Sequence, residues 1–247
     1  MGNQTSSSAP PGAFPPTRWS LVLAARQQPS PASAEALEAV CRAYWYPLYA
    51  YVRRCGQSPH DAQDLTQEFF RLLLEKRWLD QADRDKGRLR TFLITALKHF
   101  MAKEWRRQSA QKRGGGQGCI PMDTEFAESR YAADPAASSA ADEVFDRQWA
   151  LTLLELAMAS LEGEFADAGR ADDFAVLKEF LTVSHAAIDY RSAAARLNIS
   201  EGNARVAVHR LRKRFRELYR EEISQTLPDG ADLEAELRHL AAALARQ

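Results

Sequence analysis

Residues 187–219 read AIDYRSAAARLNISEGNARVAVHRLRKRFRELY and contain two helical patterns on either side of Asn198-Ile199-Ser200. In the second pattern the apolar residues recur at alternating steps of four and three, which places them on one face of a helix. Ser200 is a typical N-cap residue, and Asn198 can adopt the left-handed conformation that ends a helix. The stretch therefore predicts a helix-turn-helix arrangement with an inward stripe on its second helix. The residues of that stripe are Ala204, Val208, Leu211, Phe215 and Leu218.

The outward face of the predicted second helix is strongly basic. Residues 191–220 contain nine Arg and Lys residues and only two acidic residues, Glu201 and Glu217. A basic run of this kind is often a solvated helix face and nothing more. On the second helix of a helix-turn-helix, however, such a face enters the major groove of DNA. We therefore interpret this stretch as a DNA-binding element.

The charge of the chain is arranged in blocks. The 247 residues are 45% hydrophobic and 27% charged, as in an ordinary soluble globular protein, and their formal net charge is zero. Residues 84–113 nevertheless carry ten basic and two acidic side chains, whereas residues 123–189 carry fifteen acidic and four basic ones. Two basic blocks on either side of an acidic block favour a long polyanion as the ligand.

Several functional classes are disfavoured by the sequence. Cys41, Cys55 and Cys119 have no paired spacing, so they predict neither a disulfide framework nor a zinc site. No run of 18 or more apolar residues and no signal-peptide pattern occurs, which predicts a cytoplasmic protein without a membrane span. The HExxH, GxSxG, GxGxxG and Walker A motifs are absent, and no histidine has a second ligand at a metal-binding spacing. We therefore expect no enzymatic activity, no cofactor and no metal.

An acidic helix is predicted to begin at Ser58-Pro59, because proline is favoured in the first turn of a helix. Leu65, Phe69 and Leu72 lie on its inward stripe. Acidic residues in its first half can compensate the helix dipole, or they can form a docking face for a basic partner. The residues predicted to remain outside are Asp61, Asp64, Gln67 and Glu68.

A long basic helix is predicted from about Arg88 to Gln108. Its polar face interleaves positive charges with the aromatic side chain of Trp105. Single-stranded nucleic acid needs both features, because cations bind its phosphates and rings stack on its bases. We therefore interpret this face as a second nucleic-acid contact.

The predicted fold class is all-α, with two helical domains joined by a flexible linker and a helix-turn-helix in the second domain. Strand patterns are missing, and the Gly-rich stretch after the basic helix has no periodicity. The predicted segments are a disordered N-terminus at 1–16, a helical domain at 17–112, a linker at 113–140, a helix-turn-helix domain at 141–225, and a C-terminal helical extension at 226–247.

Three motifs resemble the extracytoplasmic-function sigma factors of RNA polymerase. DAQDLTQEFFRLLLE at 61–75 and GRLRTFLITALKHFMAKEWRR at 87–107 resemble region 2 of that family, and YRSAAARLNISEGNARVAVHRLRKRFREL at 190–218 resembles region 4. The long linker and the C-terminal extension look like a divergent branch. One departure is Lys103, which stands where relatives commonly carry Asp.

The resemblance implies a sigma factor that binds core RNA polymerase, recognises promoter DNA and promotes strand opening. Core RNA polymerase and promoter DNA, both duplex and melted, are the implied partners, with an anti-sigma factor as a further candidate. The implied polymerase-binding residues are Asp61, Asp64, Gln67 and Glu68. The implied minus-ten contacts are Asp80, Arg84, Lys86, Arg88, Arg90, Lys98, His99, Trp105, Arg106 and Arg107. The implied minus-thirty-five contacts are Ser200, Asn203, Arg205, His209, Arg210, Arg212 and Lys213.

Two other functions are compatible with the same patterns. A helix-turn-helix repressor or activator would bind duplex DNA, commonly as a dimer, and would need no polymerase dock. A helical interaction protein would bind no nucleic acid. The acidic face at Asp64 and Glu68 and the exposed aromatic at Trp105 favour the sigma factor over both.

Overall fold

The protein is described by a computed structural model at residues 31–76, 78–82, 87–110, 124–132, 140–184, 188–228 and 230–245. These residues form nine α-helices and two short 3-10 helices without any strand, which confirms the prediction of an all-α fold. The predicted disordered N-terminus, 1–16, lies outside them. The α-helices are α1 Pro31–Arg54, α2 Pro59–Glu75, α3 Leu89–Ala110, α4 Thr124–Ala132, α5 Ala141–Asp167, α6 Ala171–Leu177, α7 Tyr190–Leu197, α8 Glu201–Ser224 and α9 Leu233–Ala245. The 3-10 helices are Trp78–Gln81 and Lys178–Leu181.

α2 begins where its sequence predicts. The Ser58 hydroxyl oxygen accepts a hydrogen bond from the Asp61 backbone N–H at 3.1 Å, and Pro59 occupies the first helical position. This cap satisfies one of the backbone donors that a helix N-terminus leaves without a partner. Phe69 and Leu73 are buried on the inward face, which ties the helix to the core.

The first hydrophobic cluster is built around the aromatic residues of α1. Tyr44 of α1 stacks on Trp149 of α5 with 4.3 Å between the ring centroids. Phe69 of α2 meets Phe100 of α3 at 6.0 Å between centroids. α1, α2, α3 and the first half of α5 therefore share one core, to which Leu240 of α9 also belongs.

The second hydrophobic cluster joins the end of α5 to α6, α7 and α8. Ala193 of α7 and Ala204 of α8 are fully buried, and their small side chains allow the two helices to cross closely. Val208 and Leu211 continue the buried stripe of α8. The predicted inward stripe is confirmed, although Phe215 is only half-buried.

α5 takes part in both clusters. Trp149 and Leu153 in its first half belong to the first cluster, whereas Ala157 and Leu161 belong to the second. α8 makes a similar crossing near its end, because Ile223 is buried in the first cluster. α5 and α8 therefore belong to both clusters. The boundaries of the two predicted domains remain a prediction.

α4 lies inside residues 113–140, where the sequence analysis predicts no regular structure. That prediction is wrong for Thr124–Ala132, which form a helix against α1. Glu128 of α4 accepts hydrogen bonds from the Arg53 guanidinium at 2.7 Å and from the Tyr49 hydroxyl. Contacts with a distant segment therefore stabilise a helix whose own periodicity is weak. Residues 113–123 and 133–139 of the predicted linker lie outside the described residues.

Within the described part of the chain, no helix is both long enough and apolar enough to cross a membrane.

Candidate nucleic-acid interface

A three-residue turn connects α7 to α8. Asn198 has φ +53° and ψ +46°, the left-handed conformation that ends α7. The Ser200 hydroxyl oxygen accepts a hydrogen bond from the Asn203 backbone N–H at 3.2 Å and caps α8. Both residues therefore have the structural roles that the sequence predicts. Asp189 is a cap that was not predicted: its carboxylate accepts hydrogen bonds from the Arg191 and Ser192 backbone N–H groups at the start of α7, at 3.1 and 3.0 Å.

The outermost ridge of α8 runs along its first three turns. Because a helix repeats every 3.6 residues, this ridge lies opposite the buried stripe that contains Ala204 and Val208. Lys213 is the last residue of the ridge and lies 3.8 Å from Glu217. The exposed residues on and beside the ridge are Gly202, Asn203, Val206, His209, Arg210 and Lys213. Four of them, Asn203, His209, Arg210 and Lys213, are predicted minus-thirty-five contacts.

Arg205 lies on the flank of α8 that faces α7. Its guanidinium is 2.7 Å from the Glu201 carboxylate and lies 4.4 Å from the centroid of the Tyr190 ring. Both partners belong to the same pair of helices, and the guanidinium remains exposed. Arg205 is therefore held beside the ridge, and reaching a base would require it to leave Glu201.

Arg212 has a structural role that the sequence analysis does not foresee. Its guanidinium donates hydrogen bonds to the Phe180 backbone carbonyl at 2.9 and 2.6 Å, and to the Val183 carbonyl. These bonds tie α8 to the end of the 3-10 helix Lys178–Leu181, so the guanidinium points into the protein. The predicted DNA contact of Arg212 stays a prediction, and it would require the guanidinium to leave these carbonyls.

Two cations in the later turns of α8, Arg214 and Arg220, pair with acidic side chains of the protein. The Arg214 guanidinium bonds to both oxygens of the Glu164 carboxylate, at 2.6 and 3.0 Å, and to Glu221 at 3.2 Å. The hydrogen bonds to Glu164 raise the pKa of Arg214 above its ordinary value. Arg220 likewise pairs with Glu234 of α9. Arg216 between them remains exposed and donates from Nε to the Arg212 carbonyl of its own helix, so the exposed basic surface of α8 extends as far as this residue.

The start of α3 is covered by acidic residues. Arg90 is only 6% exposed, and its guanidinium bonds to Asp146 of α5 and lies 3.1 Å from Glu236 of α9. Arg88 lies 3.0 Å from the same Glu236 carboxylate and remains partly exposed. The predicted DNA contact of Arg90 stays a prediction, and it would require the buried guanidinium to leave these carboxylates.

The later part of α3 is open to solvent. Lys98 is exposed and pairs with Asp142 of α5 at 2.7 Å, and His99 beside it is exposed as well. Trp105 has 74% of its surface exposed, which is unusual for so large an apolar side chain. Arg106 is exposed and donates from Nε to the Ala102 carbonyl of its own helix.

Four other predicted minus-ten residues have no described side chain. Asp80 lies in the 3-10 helix Trp78–Gln81, and Arg107 lies in α3, so only their helical positions are described. Arg84 and Lys86 lie outside the described residues.

The acidic face of α2 is smaller than the sequence predicts. Asp61 and Asp64 are exposed, but Gln67 is only 7% exposed and belongs to the buried side of the helix. The prediction that Gln67 lies outside is wrong, because the buried arc of α2 is wider than one leucine stripe. Glu68 bonds to Arg71 at 2.6 Å through both oxygens, which raises the pKa of Arg71 and partly neutralises this end of the face.

The comparison with known families covers α2 and α3 completely. Residues 42–111 match sigma-70 region 2. The match spans 70 of the 247 residues, and this segment is therefore similar to region 2 of the sigma-70 proteins. No curated protein and no solved structure matches the chain.

The acidic partners of α3 are functional neighbours that sequence reasoning missed. Asp142, Asp146 and Glu236 lie far from α3 in the sequence but reach its basic side chains in the fold. The one available signal was the acidic block at 123–189, since an excess of acids beside two basic blocks favours pairing between blocks. Nothing in the sequence around Glu236 distinguishes it from a solvated residue of an amphipathic helix.

Proposed function

We propose that this protein is a sigma factor of the extracytoplasmic-function type, which directs core RNA polymerase to promoters and helps to open them in the cytoplasm. The observation that carries the proposal is the sigma-70 region 2 match over residues 42–111. That segment includes the whole of the acidic helix α2 and of the basic helix α3. The two helices supply two chemically different surfaces within one matched unit.

The exposed end of α2 is the proposed polymerase contact. Asp61 and Asp64 extend from a helix whose other face is packed in the first cluster, so the helix is held rigidly. The Ser58 hydroxyl donates to the Asp61 carboxylate at 2.6 Å and fixes that side chain. A rigid acidic surface of this kind suits a basic partner, since charge complementarity steers encounter and sets orientation.

The exposed end of α3 is the proposed contact with melted minus-ten DNA. Lys98, His99 and Arg106 offer positive or polar groups near Trp105, whose exposed ring can stack on a base. Strand opening needs no catalytic group on the protein. It requires binding free energy for the open strand that offsets unstacking, which costs a few kcal/mol for each flipped base.

The first half of α8 is the proposed contact with minus-thirty-five duplex. The capped start of α8 follows the three-residue turn, and His209, Arg210 and Lys213 face solvent along its first turns. Docking of such a helix places its first turns against the base edges of a major groove. Two DNA contacts on one chain, one for melted strand and one for duplex, support a sigma factor over a regulator that binds duplex alone.

Run-off transcription tests the proposal directly. Bacterial core RNA polymerase would be combined with this protein on a library of duplex promoters, and transcripts would be sequenced from their starts. A sigma factor yields transcripts from a subset of the library only when the protein is present. Binding to duplex DNA without binding to core polymerase would instead identify a helix-turn-helix regulator. Binding to neither would leave a helical interaction protein.

A further inference from the structure

Val206 is an exposed apolar residue at the centre of the α8 ridge. It is 47% exposed, one of only a few large apolar side chains in the described residues that lie open to water. It lies in the second turn of α8, one turn after Gly202, where a side chain would meet nothing closer than the Ser200 hydroxyl oxygen at 4.0 Å. His209 and Arg210 follow it one turn later. Because Gly202 has no side chain, DNA could approach the helix backbone closely there, and Val206 projects from the next turn of the same face.

We propose that Val206 reads a thymine by packing against its C5-methyl group, an inference that rests on the proposed duplex contact of α8. In the major groove only thymine presents a methyl group, and apolar side chains recognise it by contact. The polar neighbours of Val206 can bind phosphates or hydrogen-bond to base edges, but none of them favours a methyl group. Val206 therefore adds preference for a base that the charged residues of α8 cannot distinguish.

Replacement of thymine by deoxyuridine provides the test, because it removes only the methyl group. Preferred duplexes would first be selected with the wild-type protein, and each thymine would then be replaced in turn. One replacement should weaken wild-type binding about fourfold, which corresponds to roughly 0.8 kcal/mol for one methyl group returned to water. The same replacement should have no effect on Val206→Ala. Ile199→Ala is the matched control, since Ile199 is also exposed but lies in the turn before α8.

Three outcomes of this experiment overturn the inference. If no thymine replacement weakens wild-type binding, Val206 reads no methyl group. If Val206→Ala remains as sensitive as the wild type, another residue makes the contact. If the wild-type protein selects no preferred duplex at all, the proposed minus-thirty-five contact fails and the Val206 inference fails with it.

A second observation concerns α9, which lies against the start of α3. Glu236 of α9 is fully buried, and its carboxylate lies 3.0 Å from Arg88 and 3.1 Å from Arg90. Neither carboxylate oxygen meets hydrogen-bond geometry with a described residue, so this is charge contact without well-aligned bonds. A buried carboxylate in that state costs solvation free energy that its partners only partly return.

Other contacts hold α9 in the same place. His239 of α9 lies 2.9 Å from the Asp146 carboxylate, which also bonds to Arg90. Arg147 of α5 donates to the Leu244 carbonyl at 2.8 Å, and Leu240 is buried in the first cluster. α9 is therefore docked on α5 by apolar and polar contacts, and it presents Glu236 to two arginines at the start of α3.

We propose that α9 is an autoinhibitory latch on the melted-strand surface of α3, an inference that also rests on the proposed function. A DNA phosphate is the natural competitor of Glu236, because an arginine binds carboxylate and phosphate with the same two-pronged geometry. With α9 in place, Arg88 and Arg90 are held by protein carboxylates. Movement of α9 takes Glu236 away from both guanidinium groups, which leaves Arg88 available and Arg90 paired with Asp146 of α5 alone. The basic surface then extends from Lys98 back to the start of α3.

The test compares Glu236→Gln with Glu234→Gln, which removes the same charge from the same helix but faces Arg220 of α8. The probe is an oligonucleotide with a duplex upstream part and a single-stranded non-template part, titrated at several salt concentrations. In Glu236→Gln the slope of log K against log salt should steepen by about 0.7, the value for one new single-strand phosphate contact, because Arg88 loses its carboxylate whereas Arg90 keeps Asp146. Glu234→Gln should keep the wild-type slope. An unchanged or flatter slope for Glu236→Gln overturns the latch.

Amide hydrogen exchange of the wild-type protein gives a second measurement that requires no variant. Adding the same oligonucleotide should speed exchange in α9, because the latch must leave for DNA to reach Arg88 and Arg90. Exchange in α9 that stays equally slow or becomes slower while DNA is bound overturns the latch and leaves the proposed function intact. Failure of the wild type to bind the oligonucleotide at any salt concentration overturns the proposed minus-ten contact and the latch with it.

Discussion

α3 and α8 are both long basic helices, but they lose cations to the rest of the protein at different places. In α8 Arg210 and Arg216 are exposed, whereas Arg212 and Arg214 between them bond within the protein. In α3 the early residue Arg90 is buried among carboxylates, and the exposed Arg106 comes near the end. The number of basic residues in a helix therefore says little about which part of it can meet a polyanion.

The difference arises from what each helix packs against. The start of α3 meets acidic residues of α5 and α9, and the later turns of α8 meet Glu164 of α5 and two carbonyls after α6. The start of α8 packs on α7 through the buried Ala204, and its opposite side is exposed to solvent. α5 thus contributes acids to both helices, and the basic surface that remains is what α5 and α9 leave uncovered.

The largest effect is expected from charge reversal on α2, which should separate polymerase binding from the DNA surfaces of α3 and α8. Asp64→Lys combined with Glu68→Lys should abolish binding to core polymerase, because the proposed dock changes sign. Thermal stability should change little, since exposed charges contribute little to folding. Pull-down and fluorescence titration with core polymerase measure the effect. Glu38→Lys, which breaks an exposed pair with Arg42 on α1, is the control and should bind normally.

Two results would contradict this prediction. Normal core binding by the double variant would show that α2 is not the dock. Loss of structure would show that Glu68, through its two bonds to Arg71, matters more to folding than its partial exposure indicates.

Arg90→Ala should sharpen the contrast between the buried and exposed ends of α3. Removal of the guanidinium takes one cation from the buried Glu236 carboxylate and one from the partly exposed Asp146 carboxylate. Breaking a buried pair from one side costs about 3–5 kcal/mol, which urea unfolding would detect. Lys98→Ala removes an exposed partner of Asp142 and should cost less than about 1 kcal/mol. Equal costs for the two variants would contradict the burial of Arg90.

Arg212→Ala should lower stability and leave DNA binding unchanged, whereas Arg210→Ala should weaken DNA binding and leave stability unchanged. Arg212→Ala leaves the Phe180 and Val183 carbonyls without their donors and should cost about 1–3 kcal/mol of folding stability. Arg210→Ala should leave stability unchanged and flatten the salt dependence of duplex binding by about 0.9, the slope for one phosphate contact. Urea unfolding and salt titrations of duplex binding check both halves. A loss of DNA affinity in a stable Arg212→Ala protein would return Arg212 to the interface.

Arg205→Ala tests whether a cation on the flank of α8 reads a base. An arginine that grips guanine with two hydrogen bonds is worth about 1–3 kcal/mol on the cognate site. The expected cost is at the lower end of this range, because Arg205 must first give up its contact with Glu201. Selection of duplex sites with the variant should show relaxed preference at about one or two base pairs. An unchanged base preference would falsify a base-reading role for Arg205.

The smallest effect is expected from Arg214→Ala. Its guanidinium is bonded to Glu164 and Glu221, so it contributes no phosphate contact, and the salt slope of DNA binding should stay at the wild-type value. The partly exposed ion pairs should contribute no more than about 1 kcal/mol to stability. A slope that falls by about 0.9 would show that Arg214 releases Glu164 and contacts a phosphate when DNA binds.

The sequence was informative wherever structure depends on neighbours along the chain. The caps at Ser58 and Ser200, the left-handed Asn198 and the buried stripe of α8 all follow from residues within a few positions of one another. Such patterns require only helix periodicity and local hydrogen bonding. The all-α fold class rests on the same local signals, summed over the chain.

The candidate sites were predicted less well because their availability depends on distant residues. Arg90 has the same local setting as an exposed arginine, and its burial follows from Asp146 and Glu236, which belong to other helices. Arg212 is held away from solvent by hydrogen bonds to backbone carbonyls about thirty residues before it in the sequence. Every residue has a backbone carbonyl, so no pattern of side chains predicts such an acceptor. Local periodicity finds the outward face of a helix, but it cannot tell which outward residues another helix will cover.

The continuity of α5 has a mechanical consequence. Its 27 residues form a helix about 40 Å long, and each half of the helix packs in a different cluster. Insertion of one residue between Leu153 and Ala157 would rotate one cluster by about 100° around the helix axis relative to the other cluster. α8 also packs in both clusters, through Leu218 and Ile223. Its contacts would therefore resist such a rotation of one cluster relative to the other. Any reorientation of the two basic surfaces must therefore break packing contacts that α5 or α8 makes with one of the clusters.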